Sequence, residues 1–252
     1  VSGRVRFRLI TNLTVLVLSN RNITEVTLVD IPSIINLVFG QNLLTNFNPT
    51  KLPTSLQFLS LDNNNISTFN PTIALPSTLT TLHLVVNKIV NFNPSIPLPS
   101  GLEKLNLHFN KIVDFNPSIP LPAGLIELGL QVNEIVNFNP TIALPSNLKI
   151  LRLATNKIVT FSPIQPLPMS LEELYLNVND IVNFTPIVQV SSALKTVWLN
   201  ANNITTSAWN TNTTWIANSA INGTILANNN TNSIVGTNTE TLLLAKGWTI
   251  TS

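Results

Sequence analysis

Apolar residues return along this chain at fixed places. From Leu52 to Ile204 the frame L-x-x-L-x-L-x-x-N-x-I repeats, and Asn64, Asn87, Asn110, Asn133, Asn156, Asn179 and Asn202 stand 23 residues apart. One copy runs Leu102, Leu105, Leu107, Asn110, Ile112, Phe115. Leu105 and Leu107 lie two apart, which predicts a short strand with both leucines inward and Asn106 outward. Asn110 ends that strand, and its amide carries both donors and an acceptor for the backbone groups freed at the turn. Stacked copies are predicted to do the same in every turn, so the seven asparagines form a structural ladder. Phe47, Phe69, Phe92, Phe115, Phe138, Phe161 and Phe184 make a parallel column, expected as a stacked aromatic core.

Two looser turns come before the strict ones. Leu13, Leu16, Leu18 and Ile23 fit with Arg21 in the Asn place, and Ile34, Leu37, Phe39, Asn42, Leu44 and Phe47 fit fully. Nine turns result. Proline sets the return path: Pro49, Pro71, Pro94, Pro117, Pro140, Pro163 and Pro186 each follow the Phe by two, and Pro53, Pro76, Pro99, Pro122, Pro145 and Pro168 form a second column. Each removes a donor and biases its predecessor to extended backbone, so that side is not α-helical.

This frame resembles the leucine-rich repeat family, and the L-P-x-x-L opening of each turn resembles its short bacterial type, over roughly residues 10–204. The resemblance implies an α/β-type solenoid, mostly β, with a parallel concave sheet, a Pro-rich extended convex side and a mixed C-terminal cap. The expected division is residues 1–12 as an N-terminal cap strand, 13–204 as nine repeats and 205–252 as the C-terminal cap.

The ends differ in pattern. Residues 4–9 alternate Arg4, Arg6 and Arg8 with Val5, Phe7 and Leu9, the signature of a strand with one wet face. It reads as a polar cap on the first turn, or as a docking strand fastening the chain into a larger assembly. Beyond Ile204, a short helix is expected over 206–218 and a type I′ hairpin at Asn222-Gly223. A capping box at Thr237–Glu240 opens a helix over 242–246, Gly247 stops it, and Trp248–Ile250 is a closing strand. The last stretch, 239–250, is similar to chain ends of repeat proteins from Bacteroidetes surfaces and tailed-phage genomes.

Composition narrows the chemistry. Charged residues are 10% of the chain, apolar residues 44%, and the net charge is +2, too small to imply a nucleic-acid partner. No run of about 18 apolar residues exists, so no membrane-spanning helix and no membrane insertion are expected. Cysteine is absent, which removes thiolate metal ligands and nucleophiles. The cysteine-dependent ubiquitin ligase that some bacterial effectors append to a similar repeat is not expected in these residues, which hold no cysteine. His83 and His108 fall in different columns without a carboxylate motif beside them. There is no G-x-S-x-G elbow and no Gly-rich phosphate loop. Glu172 and Glu173 are adjacent on a strand and point to opposite sides, so they make no acid–base pair. No catalytic residue, cofactor or metal is expected.

Function then rests on variable surface positions. The column between strand leucines reads Ser60, His83, Asn106, Gly129, Arg152, Tyr175, Trp198; the next carries Asp62, Val85, His108, Gln131; a third carries Val86, Phe109, Val132, Val178. All three are expected on the concave face or its rim, with His83, His108, Phe109, Arg152, Tyr175 and Trp198 as candidate contacts. The apolar entries of the third column read equally as a partner patch or as ordinary exposed residues. A charged column, Lys88, Lys111, Glu134, Lys157, Asp180, reads as a surface ion-pair ladder. The expected role is a non-enzymatic module binding a protein or glycan on an exposed extracellular or virion surface. The alternatives are a secreted effector that binds a host protein and, less favoured, a glycan-active enzyme using the groove.

Overall fold

The computed structural model describes residues 3–6, 13–28, 33–184, 192–211, 213–220 and 222–252. The short strands β1 (Gly3–Arg6), β2 (Val15–Val17), β3 (Ile23–Thr27), β4 (Asn36–Val38) and β5 (Phe58–Ser60) open the chain. One strand per repeat follows in β6 (Thr81–His83), β7 (Lys104–Asn106), β8 (Glu127–Gly129) and β9 (Ile150–Arg152). Next come β10 (Thr160–Phe161), β11 (Glu173–Tyr175), β12 (Asn183–Phe184) and β13 (Thr196–Trp198). The C-terminal segment holds helices α1 (Thr206–Thr211), α2 (Thr214–Asn218) and α3 (Asn238–Ala245), with strands β14 (Thr224–Leu226) and β15 (Thr249–Thr251).

Nine repeat strands, β2, β4 to β9, β11 and β13, join β14 and β15 in one eleven-stranded sheet in turn order. Every pair is parallel and in register, so Leu105 lies beside Leu82 and Leu128. That is the mostly β solenoid implied by the frame. Leu105, Leu107, Ile112 and Phe115 are fully buried, as are their equivalents in the neighbouring turns. The phenyl rings of Phe69 and Phe92 stack at 6.1 Å, and the stacking continues to Phe161–Phe184 at 5.7 Å.

Among the described residues the convex path of the repeats is irregular chain with bends and turns and carries no helix before α1, in line with its prolines. Each turn re-enters its strand through a tight Pro-x-x-Leu turn, with Leu102 N donating to Pro99 O and Leu125 N to Pro122 O, both at 3.0 Å. Bridges Asp114–Asn137 and Asn137–Thr160, with the β10–β12 pair, add a second, thinner parallel ladder beside the Phe column.

The asparagine ladder is built as expected and reaches further. Asn133 Oδ1 accepts from Ile112 N at 3.0 Å, while its amide donates to Leu107 O and Leu130 O. Asn42 repeats this on Ile23 N, Leu18 O and Phe39 O. Asn230 repeats it on Ile204 N, Leu199 O and Ala227 O. The C-terminal segment therefore continues the solenoid with a longer tenth turn, in which α1 and α2 occupy the convex side.

The expected hairpin at Asn222-Gly223 does not form. Asn222 alone of that pair takes a left-handed φ, +55°, and β14 pairs in parallel with β13 and β15. Gly223 is needed for close approach, since a Cβ there would lie 2.5 Å from the Trp248 ring. The expected single helix over 206–218 is two helices, α1 and α2. The helix expected over 242–246 begins earlier, at Asn238, with Thr237 as N-cap accepting from Glu240 N. Glu240 returns a carboxylate to Gly236 N rather than to the cap residue's own N–H. Gly247 stops the helix at φ +74°. Trp215 meets Phe184 edge-on at 5.5 Å and Trp248 meets Trp215 at 6.0 Å, so tryptophan closes the aromatic column.

At the other end β1 pairs with β3 and not with the main sheet. Arg4 stands opposite Glu25 and Arg6 opposite Thr27 in that register. The remainder of the expected strand, with Phe7, Arg8 and Leu9, lies outside the described residues.

Candidate binding face

On the concave sheet each strand presents two outward positions, one on either side of its buried leucine. The second of them gives His83, Asn106, Gly129, Arg152, Tyr175 and Trp198, brought side by side by the register. They form a contact chain along the groove. Phe58 meets the His83 ring edge-on at 5.1 Å, and His83 Nδ1 lies 3.6 Å from Asp62 Oδ2. Asn106 Nδ2 is 2.8 Å from His83 Nε2. Arg152 Nε donates to Glu127 Oε1 at 3.0 Å, and its guanidinium sits 4.6 Å over the Tyr175 ring. Tyr175 donates its hydroxyl to Glu173 at 2.7 Å and meets Trp198 edge-on at 4.9 Å.

His108 lies one column further on and folds over the bare backbone of Gly129. A Cβ on Gly129 would come 1.9 Å from His108 Cε1, so the glycine makes room for the ring. Burial pushes the His108 pKa from 6.5 down to about 4, with Glu127 opposing and Arg152 assisting. The ring is thus neutral near pH 7. Burial, together with the bond to Glu173, also raises the Tyr175 hydroxyl above its usual range. The row therefore presents aromatic and imidazole rings, one guanidinium fixed by its carboxylate, and amides.

Phe109 does not belong to this row. It lies past the strand end at a corner with φ +53°, and takes no part in the ring contacts of the groove. Sequence reasoning missed Phe58, Glu127 and Glu173, which hold His83, Arg152 and Tyr175 in place. Period-two counting backward from Arg152 and Tyr175 across the buried leucine marks the column they occupy.

Among the described residues no cluster of three His, Cys, Asp or Glu is placed to hold a metal. Glu172 and Glu173 part as expected: Glu172 bridges Lys149 at 3.0 Å and Lys195 at 2.5 Å, which lowers its pKa, while Glu173 serves Tyr175. No helix among the described residues is long and apolar enough to cross a membrane.

A family model described as Leucine Rich Repeat matches residues 55–74. No curated protein matches the chain in sequence. Among solved structures, YopM from Yersinia enterocolitica WA-314 is similar at 24% identity and TM-score 0.58, covering 85% of this chain and 44% of its own. The chain thus spans less than half the length of YopM. A leucine-rich repeat protein of Leptospira interrogans aligns at 18% identity and TM-score 0.40, over 91% of this chain and 76% of that one.

Proposed function

The chain is a leucine-rich repeat protein, and on that premise we propose that it is a non-enzymatic binding module whose concave row takes a protein or glycan ligand. The observation that carries this is the preorganised run His83, His108, Arg152, Tyr175, Trp198. Each of these side chains is held by a neighbour before any ligand arrives, so little ordering remains to be done on binding. Tyr, Trp and Arg are the side chains that dominate interface energies. Net charge is only +2, so affinity is drawn from ring faces and directional hydrogen bonds rather than from long-range steering.

The exposed setting we propose, a virion or bacterial surface on which the module joins a larger assembly, draws on the similarity of residues 239–250 to chain ends from such proteins. Arg4, Arg6 and Arg8 are the proposed fastening residues at the other end. The role is tested by screening the whole chain against a displayed peptide library and a glycan array. Ligands from either screen that are lost on Tyr175→Ala and Trp198→Ala support the reading. Ligands indifferent to both changes overturn it, and which screen yields them decides protein against glycan.

A further inference from the structure

Beyond the groove, the flank of the solenoid carries a second organised surface. In each strict turn the residues one before, one after and three after the ladder asparagine are exposed or half-exposed, while the asparagine and the isoleucine between them are buried. The position before the asparagine is left-handed in every strict turn, including Val86 and Phe109 at +53°, Val132 at +55° and Val178 at +57°. A β-branched residue costs about 1–2 kcal/mol in that conformation. The stacked turns enforce it, with Val86 N bonded to His108 O and Val132 N to Ala154 O, both at 3.0 Å. Val86, Phe109 and Val178 are nonetheless exposed, as are Val90, Val113, Val136 and Val159 three residues after their asparagines. The apolar stretch is bounded. The turn before it offers Asn63, Asn65 and Ser67, and the turn after it Ala201, Asn203 and Thr205. Two apolar columns, the first interrupted by Thr155, thus flank a charged one and end in polar turns, and such a mixed surface with a polar border can serve as an interface.

Between the two apolar columns runs Lys88, Lys111, Glu134, Lys157, Asp180. Lys157 and Glu134 pair within the chain at 3.1 Å. Among the described residues no ion pair engages Lys111 or Asp180. Only one arrangement gives two oppositely charged pairs and no like-charged one. A two-fold axis running along the chain direction, between the turns of Asn133 and Asn156, sets Glu134 against Lys157 and Lys111 against Asp180 of a second copy. The same axis sets Val136 on Val159 and Phe109 on Val178. An axis through Glu134 would oppose like charges, and so would one along the solenoid. We infer that this flank binds a second copy of the chain in an antiparallel, isologous dimer centred between the turns of Asn133 and Asn156.

Sedimentation equilibrium on the whole chain tests this. The parent is expected to be in reversible monomer–dimer exchange. Lys111→Glu, which meets Asp180 of the other copy twice by symmetry, should weaken the dimer by about tenfold or more, and Lys111→Glu with Asp180→Lys should restore it. Circular dichroism checks that both variants stay folded. The chain has no cysteine, so Lys111→Cys with Asp180→Cys gives a second readout. The two sites are three turns, about 14 Å, apart in one copy, too far for an internal bridge. Oxidation should therefore yield a covalent dimer. A parent that stays monomeric, a dimer indifferent to Lys111→Glu, a swap that fails to restore it, or a double-cysteine chain that stays monomeric on oxidation would each overturn the inference.

Discussion

Asn133 donates its side-chain amide to Leu107 O, one full turn back, at 3.0 Å. The same side chain closes Leu130 O at 2.9 Å and accepts from Ile112 N at 3.0 Å. One residue thus satisfies three backbone groups in two turns, all out of reach of water. Asn133→Ala strands Ile112 N, which costs about 1–3 kcal/mol when left unpaired and buried, while Leu107 O and Leu130 O keep the amides of Asn110 and Asn156 as donors. A loss of about 1–3 kcal/mol in urea unfolding is expected. Equal unfolding midpoints would show that the ladder is not structural.

The C-terminal segment continues the core. Trp215 is buried against Phe184 and Trp248, so Trp215→Ala should cost about 3–5 kcal/mol. Trp198→Ala, on the half-buried groove side, should cost far less. A chain ending at Ile204 leaves the Leu199 and Ile204 end of the core bare and should aggregate. Trp215→Ala melting like the parent would contradict this picture.

The frame and the column residues were legible in the sequence because strict spacing exposes them. Asn64 through Asn202 declare themselves by period, and so does the phenylalanine column. Asn230 was hidden because it stands 28 positions after Asn202 rather than 23, with α1 and α2 between them. Asn222-Gly223 carried a local hairpin signal that parallel pairing of β14 overrode. The left-handed φ of Val86, Phe109 and Val132 left no trace at all, since valine is the residue type least suited to it. In the groove, the ring and arginine positions were legible, while the carboxylates that position them were not counted.

That backbone conformation makes its own prediction. Asn63 and Asn229 occupy the column of Val132 with φ of +53° and +57°, and asparagine tolerates this region far better than valine. At dilutions that keep the chain monomeric, Val132→Asn should raise stability by about 1 kcal/mol. A loss of stability would mean that the valine makes packing contacts outweighing the strain.

His108 gives a pH signature. Its pKa falls from 6.5 to about 4 in the fold, first through burial. The unfolded chain therefore takes up the proton first. The stabilisation from the neutral ring is complete above pH 6.5 and is lost as pH falls through about 4. Part of the ring remains in water, so the expected loss is about 1–2 kcal/mol. His108→Gln should flatten that slope relative to the parent. Gly129→Ala displaces the ring and should return its NMR titration toward 6.5. A parent titration already near 6.5 would contradict the burial.

The concave reading stands or falls on the groove residues. The direct measurement is calorimetric affinity for a ligand selected against the whole chain, compared among Tyr175→Ala, Trp198→Ala and the convex change Ile119→Asp on folded proteins. Each groove change is expected to weaken binding by about tenfold or more, with Ile119→Asp neutral. Unchanged affinity in both groove variants, with binding abolished by Ile119→Asp, would place the ligand on the opposite side of the solenoid.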